Sequence, residues 1–313
     1  MFDHSCIANP ALLEDALAGL GLAQKAISPK WFYDQPGSEL FEEITRLDEY
    51  YPTRTEIAIL RARAAEICAA VAKGTALVEL GSGASVKTRI LLSGQNRLTR
   101  YVPIDISAEF LAQTAASLAN DLPGIVVDPV VADFMAPIAL PRHIVQTEKL
   151  LFFPGSTLGN LDPVQAHDLL ARLRGMPRVA GFVLGVDLVK DTSVLLRAYD
   201  DAQGVTAAFN LNLLARLNRE ASANFNLAAF RHEARWNAAD TRIEMHLVSK
   251  SDQVVALAGR KFRFRAGESL HTENSHKFTR EGLMALLQAT GWMAEEYWTD
   301  PADHFAVLLL RPC

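Results

Sequence analysis

Apolar positions along the chain change their period several times. From about residue 55 to 73 the stretch IAILRARAAEICAAVAK repeats at helical spacing with few breakers. The period then shortens. TALVEL, Thr75–Leu80, is a brief apolar run that stops at a glycine. YVPIDI (Tyr101–Ile106), Ile125–Val131, Leu150–Phe153 and GFVLGVD (Gly181–Asp187) are further runs of this kind. Helical patterns separate several of them, among them SAEFLAQTAASLAND and PVQAHDLLARLRGM. Short apolar runs bounded by turns read as strands buried on both faces. Their alternation with helices predicts a parallel sheet in an α/β domain.

That alternation ends near residue 190. Thr192–Arg219 reads as mostly helical, and Phe230–Asn237, Arg242–Ser249, Val254–Ala258 and Lys261–Arg265 read as antiparallel strands joined by polar turns such as NAAD and KSD. An amphipathic helix, FTREGLMALLQATGW, follows, and then candidate strands at Ala294–Trp298 and Phe305–Arg311. A parallel sheet closed by a C-terminal antiparallel hairpin resembles the class I (Rossmann-like) methyltransferase fold. The expected division is 55–190 with 279–313 as that domain. Residues 1–54 with 191–278 are expected to form a second, α+β, substrate-binding domain.

Composition narrows the function classes. Of 313 residues, 50% are hydrophobic and 21% charged, an ordinary globular balance. The net charge of −5 and the lack of a basic stretch argue against nucleic acid or an anionic membrane as partner. The three cysteines, Cys6, Cys68 and Cys313, are scattered, which fits a reducing cytosol better than a disulfide framework or a zinc site. The first residues contain acids and break early, unlike a signal peptide, and no run is long enough to span a bilayer. A cytoplasmic monomer acting on a small molecule is expected.

The first predicted strand ends in Glu79-Leu80-Gly81-Ser82-Gly83-Ala84-Ser85. Glycines at a strand-to-helix turn let the backbone approach a ligand without a Cβ clash. The dinucleotide fingerprint asks for a third glycine, and Val86 stands there instead. That weakens a nicotinamide reading and suits a ligand carrying a sulfonium and a carboxylate. Asp105 ends the second strand, where a carboxylate can accept from both ribose hydroxyls. Asp133 and Phe134 follow the third, an acid and an aromatic suited to adenine. Lys87 opens the helix after the glycine turn and could meet the cofactor carboxylate. Each has a plainer reading: Gly81 and Gly83 as an ordinary loop, Asp105 as a helix cap, Phe134 as core, Lys87 as solvated. The plain readings weaken because the glycines and both acids fall at successive strand ends, where open α/β sheets bind ligands.

Three further segments stand out: WFYDQPGSELFEEITRLDEYYPTRTE, FFPGSTLGNLDP and HTENSHKF. Together they resemble the ergothioneine-pathway L-histidine Nα-methyltransferases, which trimethylate histidine to hercynine, over essentially the whole chain. The resemblance implies S-adenosyl-L-methionine as cofactor. It also implies that Tyr33 and Tyr50 face the amino and carboxylate end of the acceptor, with Asn160 hydrogen-bonding the same end. Gly155 and Thr157 would line the adjoining turn, and Tyr199 would contact the carboxylate. Glu273 and Ser275 would hold the imidazole with Met245 packed beside it. Tyr33 and Asn160 would orient the amine for direct in-line attack.

The residue chemistry is compatible. An imidazole has two ring nitrogens, at least one a donor; Glu273 can accept from it and Ser275 can serve the other. Taken singly, the tyrosines and Met245 read as packing residues and Glu273 as a surface acid. Asn160 alone would be a helix cap, although Asp162 before Pro163 fits that position better. His271 and His276 lack a third ligand of convincing spacing, so no metal is expected. Three alternatives stand beside histidine methylation. One is a methyltransferase for another amino acid such as tryptophan or tyrosine, although an indole offers one donor and no acceptor. The others are a nicotinamide-dependent oxidoreductase and a non-catalytic binding module.

Overall fold

The computed structural model describes residues 8–83, 86–93 and 97–313. Cys6 and the Ala84-Ser85 end of the glycine-rich segment lie outside the described residues. The chain forms two compact units: Met1–Tyr51 with Lys190–Ser275, and Pro52–Val189 with His276–Cys313.

The larger unit is built on one mostly parallel sheet. Its strands run in the order Trp292–Thr299, Phe305–Pro312, Val179–Asp187, Lys149–Phe153, Thr75–Leu80 and Leu98–Asp105, with two short segments on the last. The inner pairs are parallel. The C-terminal hairpin is antiparallel within itself and against Val179–Asp187. This is the class I methyltransferase arrangement. Burial explains the apolar runs: every residue of Thr75–Leu80 and of Lys149–Phe153 is buried. Alternate residues enter opposite cores, as a period of two requires. Ala76, Val78, Leu80, Leu151 and Phe153 pack with Leu169, Leu170, Leu173, Leu283 and Leu287. Leu77, Leu150 and Phe152 pack on the other face with Leu60, Ile67, Tyr101 and Leu118.

One expected strand is broken. Ile125–Val131 resolves into Val126–Val127 and Val130–Val131, both paired to Leu98–Asp105. Pro129 sits between them and has no N–H to donate to a ladder. Asp128, also between them, still donates its N–H to the Tyr101 carbonyl at 2.9 Å, and its carboxylate is ion-paired with Arg100.

In the smaller unit, the helices Pro10–Gly19, Gln35–Ile44, Thr192–Tyr199 and Val205–Glu220 enclose an aromatic-rich core, in which Phe32 stacks on Phe209 with centroids 4.5 Å apart. A three-stranded sheet orders Ser269–His276, Arg242–Ser249 and Phe230–Asn237; a separate hairpin pairs Gln253–Leu257 with Arg260–Phe264. The apolar pattern predicts no strand over Ser269–His276, yet the segment is one. Its sequence, SLHTENSH, is mostly polar, yet Ser269, Thr272, Glu273 and Ser275 are buried. Thr272 Oγ1 donates to the Met245 carbonyl at 3.0 Å, so hydrogen bonding rather than apolar alternation seats this strand.

Candidate active site

In the larger unit the cofactor candidates gather at the C-terminal ends of adjacent strands. Gly81 and Gly83 both have positive φ, +68° and +47°. A Cβ on Gly81 would lie 3.5 Å from Phe134 Cε1, so the Phe134 ring flanks the glycine turn. Asp105 links the turn to the next helix: its Oδ2 faces the Gly83 N–H at 3.4 Å, and its Oδ1 accepts from Ser107 N at 3.0 Å. Asp133 follows Val130–Val131 and accepts from Met135 N at 2.8 Å. Phe134 meets Phe153 edge-on at 5.4 Å, and its carbonyl accepts from Arg172. Bare backbone, a ring and two carboxylates thus occupy one end of the sheet, an arrangement that fits a nucleoside.

Lys87 is on the Val86–Leu92 helix and is not simply solvated. Its Nζ lies 2.5 Å from Glu56 Oε2. Glu56 is fully buried and accepts from Gly155 N with both oxygens, at 3.1 and 2.9 Å. Glu79, also buried, accepts from Thr88 Oγ1 at 2.5 Å and from the Tyr101 hydroxyl. Burial pushes the Glu79 carboxyl up to about 8. The two hydrogen bonds and the charge of Lys87 oppose that rise, and the Glu56 charge adds to it. Neither acid was singled out in the sequence. Glu56 reads there as one more charge on a helix, and its partners come from distant segments.

The segment after Lys149–Phe153 forms a tight turn. Gly155 has φ +80°, Ser156 has φ +58°, and Thr157–Asn160 is one turn of 3₁₀ helix. Thr157 Oγ1 donates to the Pro154 carbonyl at 2.9 Å. Ser156 Oγ accepts from Asp187 N at 2.9 Å, and Asp187 is ion-paired with buried Lys277 at 2.8 Å. His276 Nδ1 lies 2.9 Å from the Gly159 carbonyl, so the turn is braced from two further segments of its own unit. Asn160 ends it half-buried. The cap of the following helix is Asp162, which forms a reciprocal capping box with Gln165.

In the smaller unit, the Tyr199 hydroxyl and Ser275 Oγ are 2.7 Å apart. Tyr50 meets Tyr199 edge-on at 6.2 Å, and Phe41 touches both Tyr50 and Tyr33. Met245 is buried in the same core. His232 orders Tyr199 from behind: its Nε2 lies 2.8 Å from the Tyr199 carbonyl, and its Nδ1 2.8 Å from Asn210 Nδ2. Burial lowers the pKa of His232, which favours the neutral ring this arrangement needs. Glu273 is buried between Thr272 and Asn274 on the same strand as Ser275. The structure therefore brings Gly81, Gly83, Asp105 and Phe134 together, links Lys87 to Gly155 through Glu56, and groups Tyr33, Tyr50, Tyr199, Met245 and Ser275.

His271 does have two potential co-ligands, contrary to its sequence spacing. Glu244, His246 and His271 offer ligand atoms within 4.8 Å of one another. The partners sit on a neighbouring strand, which spacing along the chain cannot reveal. His246 Nε2 lies 3.1 Å from Glu244 Oε2 and its ring stacks on His271. Burial pushes His246 down to about 4. The other Glu244 oxygen accepts from Arg242 and Asn237, and Arg235 also acts on His246 electrostatically. Two guanidinium charges beside the cluster oppose a divalent cation there.

Comparison with known proteins places the chain. The family model described as "Histidine-specific methyltransferase, SAM-dependent" matches residues 12–312. The chain belongs to this family. Its methyl donor is accordingly S-adenosylmethionine. The chain is 47% identical to histidine N-alpha-methyltransferase of Mycolicibacterium smegmatis, over 96% of this chain and 95% of that one. It is 45% identical to the Mycobacterium tuberculosis protein of the same name, over 96% and 94%. Among solved structures, the CurJ carbon methyltransferase superposes with a TM-score of 0.50 at 14% identity, covering 96% of this chain and 66% of that one, which bears on the fold alone. Among the described residues of this family member, no helix is long and apolar enough to cross a membrane.

Proposed function

We propose that the chain transfers methyl groups from S-adenosylmethionine to the α-amine of L-histidine, up to the trimethylated product hercynine, as the first step of ergothioneine biosynthesis. The observation that carries this reading is the buried hydrogen bond between Tyr199 and Ser275, on a strand that also buries Glu273. Buried hydroxyls and a carboxylate suit a ligand with hydrogen-bonding groups at both ends. Glu273 accepts from one imidazole nitrogen and Ser275 serves the other, with Met245 beside the ring. Tyr50 and Tyr199 hold the carboxylate end, and Gly155 and Thr157 shape the turn that presents Asn160 to the amine. Asp105 holds the ribose, Asp133 and Phe134 the adenine, Gly81 and Gly83 the backbone approach, and Lys87 the cofactor carboxylate.

The cofactor supplies an electrophilic methyl on sulfonium; the protein supplies alignment. An α-amine is mostly protonated at neutral pH and must lose a proton before each transfer. Asn160 and Tyr33 orient the lone pair, and water takes the proton. The Tyr33 ring face accommodates the growing ammonium head. On this reading, residues 55–190 with 279–313 hold the cofactor and residues 1–54 with 191–278 form the substrate-binding domain. The enzyme acts as a cytoplasmic monomer on a small molecule.

Incubation with S-adenosylmethionine and a panel of amino acids, read by mass, tests this. Histidine is expected to gain up to three methyl groups. Methylation of tryptophan or tyrosine with histidine untouched would overturn the reading.

A further inference from the structure

Glu56 lies on the Tyr51–Ala69 helix and has no exposed surface. Burying a lone carboxylate costs several kcal/mol, so its partners define its role. Both oxygens accept from the Gly155 N–H, and Oε2 also meets the Lys87 ammonium. The molecule makes room for this group. A Cβ on Gly185, in the central Val179–Asp187 strand, would fall 2.0 Å from Glu56 Oε1. A Cβ on Gly155 would lie 3.4 Å from Lys87 Nζ, so the lysine rests directly against the turn that leads to Asn160.

We propose that Glu56 is a positioning residue: one buried carboxylate fixes Lys87 and the Gly155–Asn160 turn in a single relative geometry. This rests on the functional reading above, in which Lys87 meets the cofactor and Asn160 the acceptor amine. Glu56 itself touches neither. In-line transfer is sensitive to small displacements, a shift of about 1 Å costing about 100-fold in rate. A group that holds the cofactor-side lysine and the acceptor-side turn together therefore acts on both substrates at once. The Lys87–Glu56 pair is neutral overall, so Lys87 reaches the cofactor as an oriented donor rather than a net positive charge.

Three variants of the full chain test this: Glu56→Gln, Lys87→Met and the double variant. Calorimetry with S-adenosylhomocysteine reads the cofactor side, steady-state methylation of histidine reads the acceptor side, and Tm monitors folding. Glu56→Gln is expected to weaken S-adenosylhomocysteine about tenfold and to raise the histidine KM about tenfold. Lys87→Met is expected to weaken S-adenosylhomocysteine by a similar factor and to move the histidine KM by less than about twofold. The double variant should bind S-adenosylhomocysteine no more weakly than Lys87→Met, because Glu56 acts on the cofactor through Lys87. A purely structural Glu56 would lower Tm and, in protein still folded at the assay temperature, leave kcat, the S-adenosylhomocysteine affinity and the histidine KM in place; that result overturns the proposal, as do additive losses in the double variant. If Glu56→Gln does not fold, Glu56→Asp keeps the charge and withdraws the carboxylate; it should show the same paired losses, and unchanged constants there overturn the proposal. Unchanged affinity in Lys87→Met overturns the cofactor arm. Absence of histidine turnover by the unaltered enzyme would sink the functional reading instead, with the calorimetric cycle still deciding the role of Glu56.

Discussion

The hydroxyl of Tyr199 lies 2.7 Å from Ser275 Oγ, joining the end of the Thr192–Tyr199 helix to the Ser269–His276 strand. Tyr199 is held in turn by His232 at its carbonyl. A hydroxyl pair shared in this way is able to pass one donor and one acceptor to a ligand while satisfying itself. Tyr199→Phe and Ser275→Ala are each expected to raise the histidine KM about tenfold, a loss of about 1.4 kcal/mol. The double variant should lose less than the sum, because each single change already breaks the pair. Steady-state kinetics on the four proteins checks this, and strict additivity counts against a shared role.

Glu273 offers a sharper separation between ring recognition and cofactor binding. Glu273→Ala is expected to weaken histidine strongly, by about 100-fold if the hydrogen bond is charge-assisted. The affinity for S-adenosylhomocysteine should hold, because Glu273 belongs to the smaller unit and the cofactor candidates to the larger. Calorimetry with each ligand separately measures both. Histidine affinity at the wild-type level would rule out Glu273 as the imidazole partner.

What the sequence could reveal follows from which interactions leave a periodic trace. The parallel strands were legible as short unbroken apolar runs, because Val78, Leu80, Leu151 and Phe153 face one apolar core and Leu77, Leu150 and Phe152 the other. The C-terminal hairpin and the Asp162 cap were legible for similarly local reasons. Ser269–His276 escaped because its buried positions are polar and its seating depends on hydrogen bonds such as that from Thr272 to Met245. Pro129 broke a strand that hydrophobicity alone had joined. In the candidate site, Asp105, Asp133 and the glycines were legible as successive strand ends. Glu56 was not, since its carboxylate serves a backbone amide 99 positions away. The Glu244–His246–His271 cluster was hidden likewise, because it joins side chains across neighbouring strands.

Glu79 predicts a pH dependence with a definite sign. Its carboxyl, ordinarily near 4.5, is raised to about 8 by burial in the fold. Between those values the unfolded chain has released this proton and the folded chain has kept it. The folded state binds more protons, so this group's contribution to stability declines as pH rises from about 4.5 to about 8 and levels off above that. Glu79→Gln keeps an acceptor for Thr88 and Tyr101 and cannot ionise. Its Tm relative to the unaltered chain should therefore increase from pH 5 to pH 8. A Tm difference that is flat or falling across that range would show that the carboxyl is ionised in the fold.

Asp105 makes two backbone contacts, with Gly83 N and Ser107 N, and these alone would justify its presence as a turn residue. Asp105→Asn separates that role from ribose binding. The amide retains an acceptor oxygen for Ser107 or Gly83, so a residue that only shaped the turn would tolerate the change, with Tm and cofactor affinity both preserved. A ribose-binding carboxylate accepts from two hydroxyls at once, which an amide with a single acceptor oxygen cannot reproduce. The expected result is a nearly unchanged Tm with S-adenosylhomocysteine affinity reduced by about tenfold or more, since hydrogen bonds to a charged group contribute about 1.5–3 kcal/mol. Histidine binding measured without cofactor should not change. Cofactor affinity equal to that of the unaltered chain would return Asp105 to the turn and leave the ribose without its acceptor.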